Sequence, residues 1–358
     1  MLLFPVRLNF RAPRSFKPPT TRFLFQTTVN IRVHLQPQIV DITRLRFYTT
    51  AAKMSDGQWT SLTYTLNTGD KIPAVGLGTW QSKPGEVRNA VSAALRAGYR
   101  HIDTALAYGN EREVGLGIKD SGVPREEIWI TTKLDNTWHK HVKEGLASSL
   151  NSLGVEYIDL YLMHWPCSTA PSEEGNPASA PANPPVAYTD IDFLNAWAEL
   201  EKLPKSQVRN IGVSNFDITQ LNRLLRNAKT IPAVNQVELH PNNPTHSLTK
   251  FCAEKGIHVT GYSILGSTNS PLVKDLTLAG IAQKHGRSIQ QVLLAWGLHH
   301  GYSVIPKSVT ESRIVSNFQV DGLVLTEDDL KALDTLKDRF KVCGDDWLPH
   351  KIFLDRPE

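Results

Sequence analysis

One alternation constrains this chain more than any other feature. From residue 70 onward, eight short apolar or β-branched runs (74–77, 101–104, 129–132, 160–164, 211–214, 234–238, 259–263 and 303–306) are separated by amphipathic stretches. The runs have the length and side chains of buried strands. The stretches between them, such as 86–97, 142–153, 194–203, 218–228 and 247–255, repeat apolar residues at helical spacing. Strands joined through helices pair in parallel, because the chain must cross back before the next strand begins. The run centres are 27, 28, 31, 50, 24, 24 and 45 residues apart, so each gap admits a crossover helix. Eight such units over roughly 290 residues match a (β/α)8 TIM barrel. The rival is a doubly wound sheet, but no GxGxxG follows the first run, as a dinucleotide-binding unit of that type would require.

Two gaps are oversized. Residues 167–189 (CSTAPSEEGNPASAPANPPVAYT) hold five prolines and read as a loop leaving the C-terminal end of the fourth strand, the rim where barrel enzymes keep their active sites. The last gap carries two helical patterns, 273–285 and 289–299, so one helix is extra to the barrel. Residues 326–337 predict a further helix after closure, leaving a tail from 340 free to fold back over the barrel mouth.

Charge divides the chain into two parts. The net charge is +4, yet residues 1–53 hold nine basic residues and one acid, so the remainder is mildly acidic. The expected organisation is an N-terminal extension, 1–53, without packed structure, and a barrel over 54–358. An Arg-rich, acid-poor leader has the composition of a mitochondrial transit peptide, and RFYTT (46–50) resembles a matrix-protease cleavage site. The alternative is a start at Met54 and a cytoplasmic protein, and prolines 5, 13, 18, 19 and 37 weaken any long leader helix. Three widely spaced cysteines exclude a disulfide framework and a CxxC knuckle, and no metal site is expected. The barrel region has no basic stripe for nucleic acid and no apolar run of about 18 residues for a membrane span.

Polar residues placed on this frame converge. Asp103 lies in the second strand, Tyr108 in the loop after it, Lys133 at the end of the third strand and His164 at the end of the fourth. Adjacent strands are ~4.8 Å apart, which brings these residues to one rim. Tyrosine (pKa ~10) is a weak acid near neutrality unless a cation lowers its pKa. Lys133 is the expected cation, Asp103 its anchor, and His164 the group that positions a carbonyl oxygen beside the Tyr108 hydroxyl. Near the C-terminus, Lys307, Ser308, Thr310 and Arg313 set two cations and two hydroxyls at a strand-to-helix turn, chemistry suited to a phosphate monoester.

The motifs that hold these residues resemble those of the aldo-keto reductase superfamily, close to its aldose and aldehyde reductase branch. GYRHIDTALAYGNEREVG (98–115), VRNIGVSNF (208–216) and IPKSVTESRIVSNFQV (305–320) are similar to the family's three signatures, and ITTKL, LYLMHWP, NQVELHP and GYSILGS match in order between them. The resemblance implies a barrel that binds NADPH/NADP+, with Tyr108 as proton donor, Asp103 and Lys133 as its tuners and His164 orienting the carbonyl. It implies that Ser214, Asn215 and Gln236 hold the carboxamide and that Tyr262 stacks on the nicotinamide. Ser263, Leu265 and Ser267 would line the pyrophosphate, and Lys307, Ser308, Thr310 and Arg313 would surround the adenosine 2′-phosphate with Asn317 near the adenine. Thr79 and Trp80 would sit at the nicotinamide end, with Trp80 and Trp165 as aromatic walls for substrate.

Three positions depart from the branch pattern: Ser316 where Glu is common, Asp135 where an aromatic residue is common, and Gln81 where a basic residue is frequent. The expected activity is reversible, NADPH-dependent reduction of aldehydes or aldoses, glyceraldehyde-like carbonyls among them, by a monomer acting on small molecules. A different class, an NADPH-binding regulatory barrel with little turnover, is the alternative. A phosphate-handling isomerase that uses the 307–313 turn for its substrate is a further one.

Overall fold

The computed structural model describes residues 57–353 except Pro84 and Thr189. The 1–53 extension lies outside the described residues. An antiparallel hairpin that the periodicity does not announce comes first, β1 (Thr63–Thr65) with β2 (Lys71–Pro73). Leu66 and Ile72 of this hairpin pack with Trp129, Leu160, Leu162, Ala233 and Val234. Thr68 Oγ1 donates to Asn210 Oδ1 (2.5 Å), and Asn210 Nδ2 donates to Asp70 Oδ2 (2.8 Å). The hairpin therefore plugs the N-terminal end of the strands that follow and leaves only the opposite end open.

Those strands are β3 (Leu77–Gly78), β4 (His101–Asp103), β5 (Trp129–Leu134), β6 (Ile158–Met163), β7 (Val208–Ser214), β8 (Val234–Glu238), β9 (His258–Tyr262) and β10 (Ser303–Val304). They pair in chain order, every neighbour parallel. Parallel bridges Val75–Val304 and Gly78–Lys307 join the first strand to the last, closing the ring. A side chain at Gly78 would bring its Cβ within 2.8 Å of the Ile305 carbonyl oxygen, so the closure needs glycine there. The first and last ladders are shorter than the sequence runs suggested, and His164 falls just beyond β6 on the rim.

The helices are α1 (Glu86–Arg96), α2 (Glu111–Ser121), α3 (Val142–Leu153), α4 (Phe193–Leu200) and α5 (Ile218–Leu225). They continue as α6 (His246–Glu254), α7 (Leu276–His285), α8 (Ile289–His299), α9 (Glu311–Phe318) and α10 (Glu327–Asp334). Reciprocal capping boxes start α5 (Asp217, Gln220), α8 (Ser288, Gln291) and α10 (Thr326, Asp329), satisfying amides that have no partner in a helix's first turn. The extra helix expected before the last strand is α7. It starts at Leu276 rather than 273, because the Asp275 side chain caps the Leu278 amide (2.9 Å) and Pro271–Lys274 form a separate 3₁₀ turn. The core lies between strands and helices, where Ile102, Ile130, Val213 and Leu293 are fully buried, each contributing about 1.5–3 kcal/mol.

The tail does fold back. Asn242 Nδ2 holds the Asp338 carbonyl (2.7 Å), and the buried Glu238 carboxylate accepts the amides of Val342 (2.6 Å) and Cys343 (2.7 Å). Trp165 and Cys167 pack with Leu348 and Ile352 of the tail. The proline-rich loop pairs with itself through bridges Thr169–Ala187 and Pro171–Pro181, and Thr137 Oγ1 donates to its Pro177 carbonyl (2.9 Å).

Candidate active site

The rim opposite the hairpin surrounds a cavity of 1170 Å³, somewhat larger than the roughly 300–1,000 Å³ usual for small-molecule sites. At its inner end the expected tetrad comes together. Lys133 Nζ donates to Asp103 Oδ1 (2.6 Å), to the Thr104 carbonyl (2.8 Å) and, at 3.4 Å, to the Tyr108 hydroxyl. The other Asp103 oxygen accepts from Gln236 Nε2 (2.7 Å). The Tyr108 and His164 rings meet edge to face with centroids 5.7 Å apart. Each position follows from the strands: β4 ends on Asp103, a 3₁₀ turn, Leu106–Tyr108, carries the phenol back over the rim, and β5 brings Lys133 beneath it. Lys133 is buried behind the cavity wall, whereas Tyr108 and His164 line it.

The electrostatics correct one expectation. Burial pushes the Tyr108 phenol well above its ordinary pKa, and the Asp103 charge adds to the rise. In the resting site burial outweighs the pull of Lys133, whose charge is paired with Asp103 at 2.6 Å. Burial likewise pushes the Asp103 carboxyl up and the Lys133 ammonium down, each opposed by its partner. Burial, the Lys133 charge and His139 hold the His164 imidazole well below its ordinary pKa, so it is neutral near pH 7. The site thus holds a protonated phenol touched by a cation, and an uncharged imidazole whose ring makes no hydrogen bond to a described residue.

The remaining expected residues line the same cavity in sequence. Ser214 and Asn215 follow β7, where Asn215 takes a left-handed backbone (φ 64°) that turns its amide toward Tyr262. Tyr262 donates to Asn215 Oδ1 (2.7 Å), and Asn215 Nδ2 donates to the His164 carbonyl (3.0 Å). Thr79 Oγ1 donates to the Asp103 carbonyl (3.0 Å), tying the first strand end to the tetrad. Ser263, Leu265 and Ser267 line the middle. Lys307, Ser308, Thr310, Arg313 and Asn317 line the far end, at the β10–α9 turn. Lys307 and Arg313 are exposed, and neither is in an ion pair with a described residue. Trp80 and Trp165 stand at the tetrad end as expected.

One part of the wall differs from the expectation, and one agrees with it. No described residue of the 167–189 loop lines the cavity; Cys167, Ser168 and Tyr188 border a separate hollow instead. The tail supplies Val342, Cys343, Gly344 and Trp347, with Trp347 packed edge-on to Trp165 (5.3 Å). Glu238, which pins that tail, went unnoticed. Its signal was an acid inside the apolar strand of NQVELHP, where a buried carboxylate demands partners. Among the described residues no group of His, Cys, Asp and Glu could hold a metal ion.

The Aldo/keto reductase family model matches residues 74–338. The chain belongs to this family of oxidoreductases. It is 46% identical over 285 residues to aldehyde reductase YPR1 of Saccharomyces cerevisiae, covering 77% of this chain and 91% of that protein. It is 43% identical over 300 residues to the glycerol 2-dehydrogenase (NADP(+)) of the same yeast, covering 80% and 96%. Among solved structures, the Bombyx mori aldo-keto reductase in complex with NADP superposes with a TM-score of 0.73 at 35% identity, covering 82% of this chain and 99% of that one.

Proposed function

We propose that the chain is an NADPH-dependent reductase of small aldehydes and hydroxyaldehydes, reversible toward alcohol oxidation, with Tyr108 as general acid. The carrying observation is the arrangement of the cavity: a protonated phenol touched by a buried ammonium at one end, two unpaired cations at the other. The cavity's 1170 Å³ has room for a cofactor beside a small substrate, and a 2′-phosphate at the β10–α9 turn would give Lys307 and Arg313 an anionic partner. The names of the yeast reductase and dehydrogenase and the NADP-bound insect structure support the same choice. When bound, NADPH supplies the hydride that reduces the carbonyl carbon.

The residues of the chain handle the oxygen. His164, neutral, donates a hydrogen bond that places the carbonyl oxygen beside the phenol. Tyr108 transfers its proton to that oxygen as charge develops there. The phenolate left behind is what the Lys133 ammonium stabilises; its contribution therefore grows along the reaction rather than in the resting state. Asp103 and Gln236 hold Lys133 in place, and Tyr262 and Asn215 form the opposite wall. The enzyme is read as a monomer acting on small molecules, which size-exclusion chromatography of the full chain would check. The barrel region 54–358 accordingly carries the activity. For residues 1–53, the import and Met54-start readings give different mature N-termini, and N-terminal sequencing of the native protein separates them.

Steady-state consumption of NADPH with D-glyceraldehyde tests the proposal. Turnover that saturates in both reactants supports it; no consumption with any aldehyde of a broad panel refutes it.

A further inference from the structure

The cavity is electrically polarised. Of the described residues that line it, only Asp103, Asp135, Lys307 and Arg313 carry formal charge. The two cations sit together at the β10–α9 turn, and the two carboxylates belong to the tetrad end. Asp103 is neutralised by Lys133 at 2.6 Å. Asp135 has no such partner among the described residues. It follows directly on β5, two residues beyond Lys133, and is half-buried, lining the same cavity as Tyr108, His164, Trp165 and Trp347.

Its side chain is held in place. One oxygen accepts from the Asn136 amide (2.7 Å), and the other receives a longer contact from the Thr137 hydroxyl (3.4 Å). A carboxylate oxygen has two acceptor sites, so each retains acceptor capacity, and no described residue lining the tetrad end offers a cation to a substrate anion. We propose that Asp135 sets the substrate class of the reductase, accepting a hydroxyl of neutral hydroxyaldehydes and repelling aldehydes that carry a carboxylate. The inference rests on the reductase reading above. Such discrimination works mainly against the unwanted substrate: an anion would lose hydration and meet an unpaired like charge. The bland alternative is that Asp135 only caps the 3₁₀ turn, Asn136–Trp138. That role would not distinguish a charged substrate from its uncharged isostere.

The experiment compares full-length wild type with Asp135→Asn, using D-glucuronate against D-glucuronamide and D-glyceraldehyde against propanal, all with NADPH. The open-chain fraction of each sugar cancels in the wild-type-to-variant ratio. The expected result is that kcat/KM for glucuronate rises about tenfold relative to glucuronamide in the variant, while the preference for glyceraldehyde over propanal shrinks. An unchanged glucuronate-to-glucuronamide ratio overturns the proposal. Wild type alone provides a second test that needs no folded variant: 4-formylbenzoate should be reduced about tenfold less efficiently than 4-formylbenzamide, and equal efficiency overturns the proposal. Failure to turn over any aldehyde removes the reductase reading and this one together. Turnover of glyceraldehyde with both charge comparisons flat removes only the specificity assignment.

Discussion

The two ends of the cavity are built on opposite principles. At the tetrad end the ionisable groups are drawn from three successive strand ends: Asp103 and Lys133 are buried and bonded to each other, and Tyr108 and His164 meet ring to ring at the cavity surface. At the β10–α9 end two exposed cations come from one seven-residue segment and pair with no anion among the described residues. Proton transfer needs groups whose protonation is fixed by their surroundings, which burial provides at the cost of desolvating Lys133 and Asp103. Binding a phosphate needs charge that stays available, and a protein partner would compete with the ligand. Chemistry is therefore placed where water is excluded, and charge recognition where it is not.

Substitutions should respect that division. The largest effect is expected from Tyr108→Phe, which keeps the ring but removes the proton: kcat should fall by about 10³-fold, within the usual span for general acid catalysis, measured by steady-state NADPH oxidation. Lys133→Met should also cost about 10²-fold in kcat, and it leaves Asp103 buried without its cation, so thermal unfolding should reveal destabilisation on the order of 3 kcal/mol. Arg313→Ala should raise the Michaelis constant for NADPH about tenfold and barely change that for NADH, a difference expected from one charge-assisted contact; equal changes would refute the phosphate assignment. Glu238→Gln weakens the hold on the tail, and the expected outcome is an aldehyde Michaelis constant raised a few-fold with NADPH affinity kept.

The barrel interior should respond to pH differently from the exposed turn. His101, His139 and His258 are held by burial at about 3, well below the ordinary histidine value of 6.5. Between those values the unfolded chain binds protons that the folded chain refuses, so their contribution to stability is complete above pH 6.5 and falls as pH drops toward 3. Each costs about 1.4 kcal/mol per pH unit in that window. Denaturant midpoints at pH 7.5 and 5.5 should differ accordingly, with the less stable protein at the lower pH.

What the sequence made legible follows the same contrast. The β10–α9 turn is contiguous, so Lys307 to Arg313 could be read from a single segment. The tetrad is dispersed over 62 positions from Asp103 to His164, yet it was legible because regular strand spacing places strand ends on one rim. Less regular parts were not. The β1–β2 hairpin is too short to register as periodicity, and the proline-rich loop was placed at the mouth because nothing local says which way a loop turns. Glu238 and the tail meet only through contacts a hundred residues apart, which no pattern along the chain encodes. The direction of the Tyr108 shift was misjudged for an energetic reason: proximity to Lys133 was legible, but the burial and the Asp103 charge that outweigh it depend on the packed site.

The division of labour is tested most directly by NADPH titration, through quenching of protein fluorescence, of Tyr108→Phe beside Arg313→Ala. The account predicts wild-type affinity, within about twofold, for the catalytically dead phenylalanine variant and affinity about tenfold weaker for the alanine variant. Weakened binding in Tyr108→Phe together with unchanged binding in Arg313→Ala would contradict it.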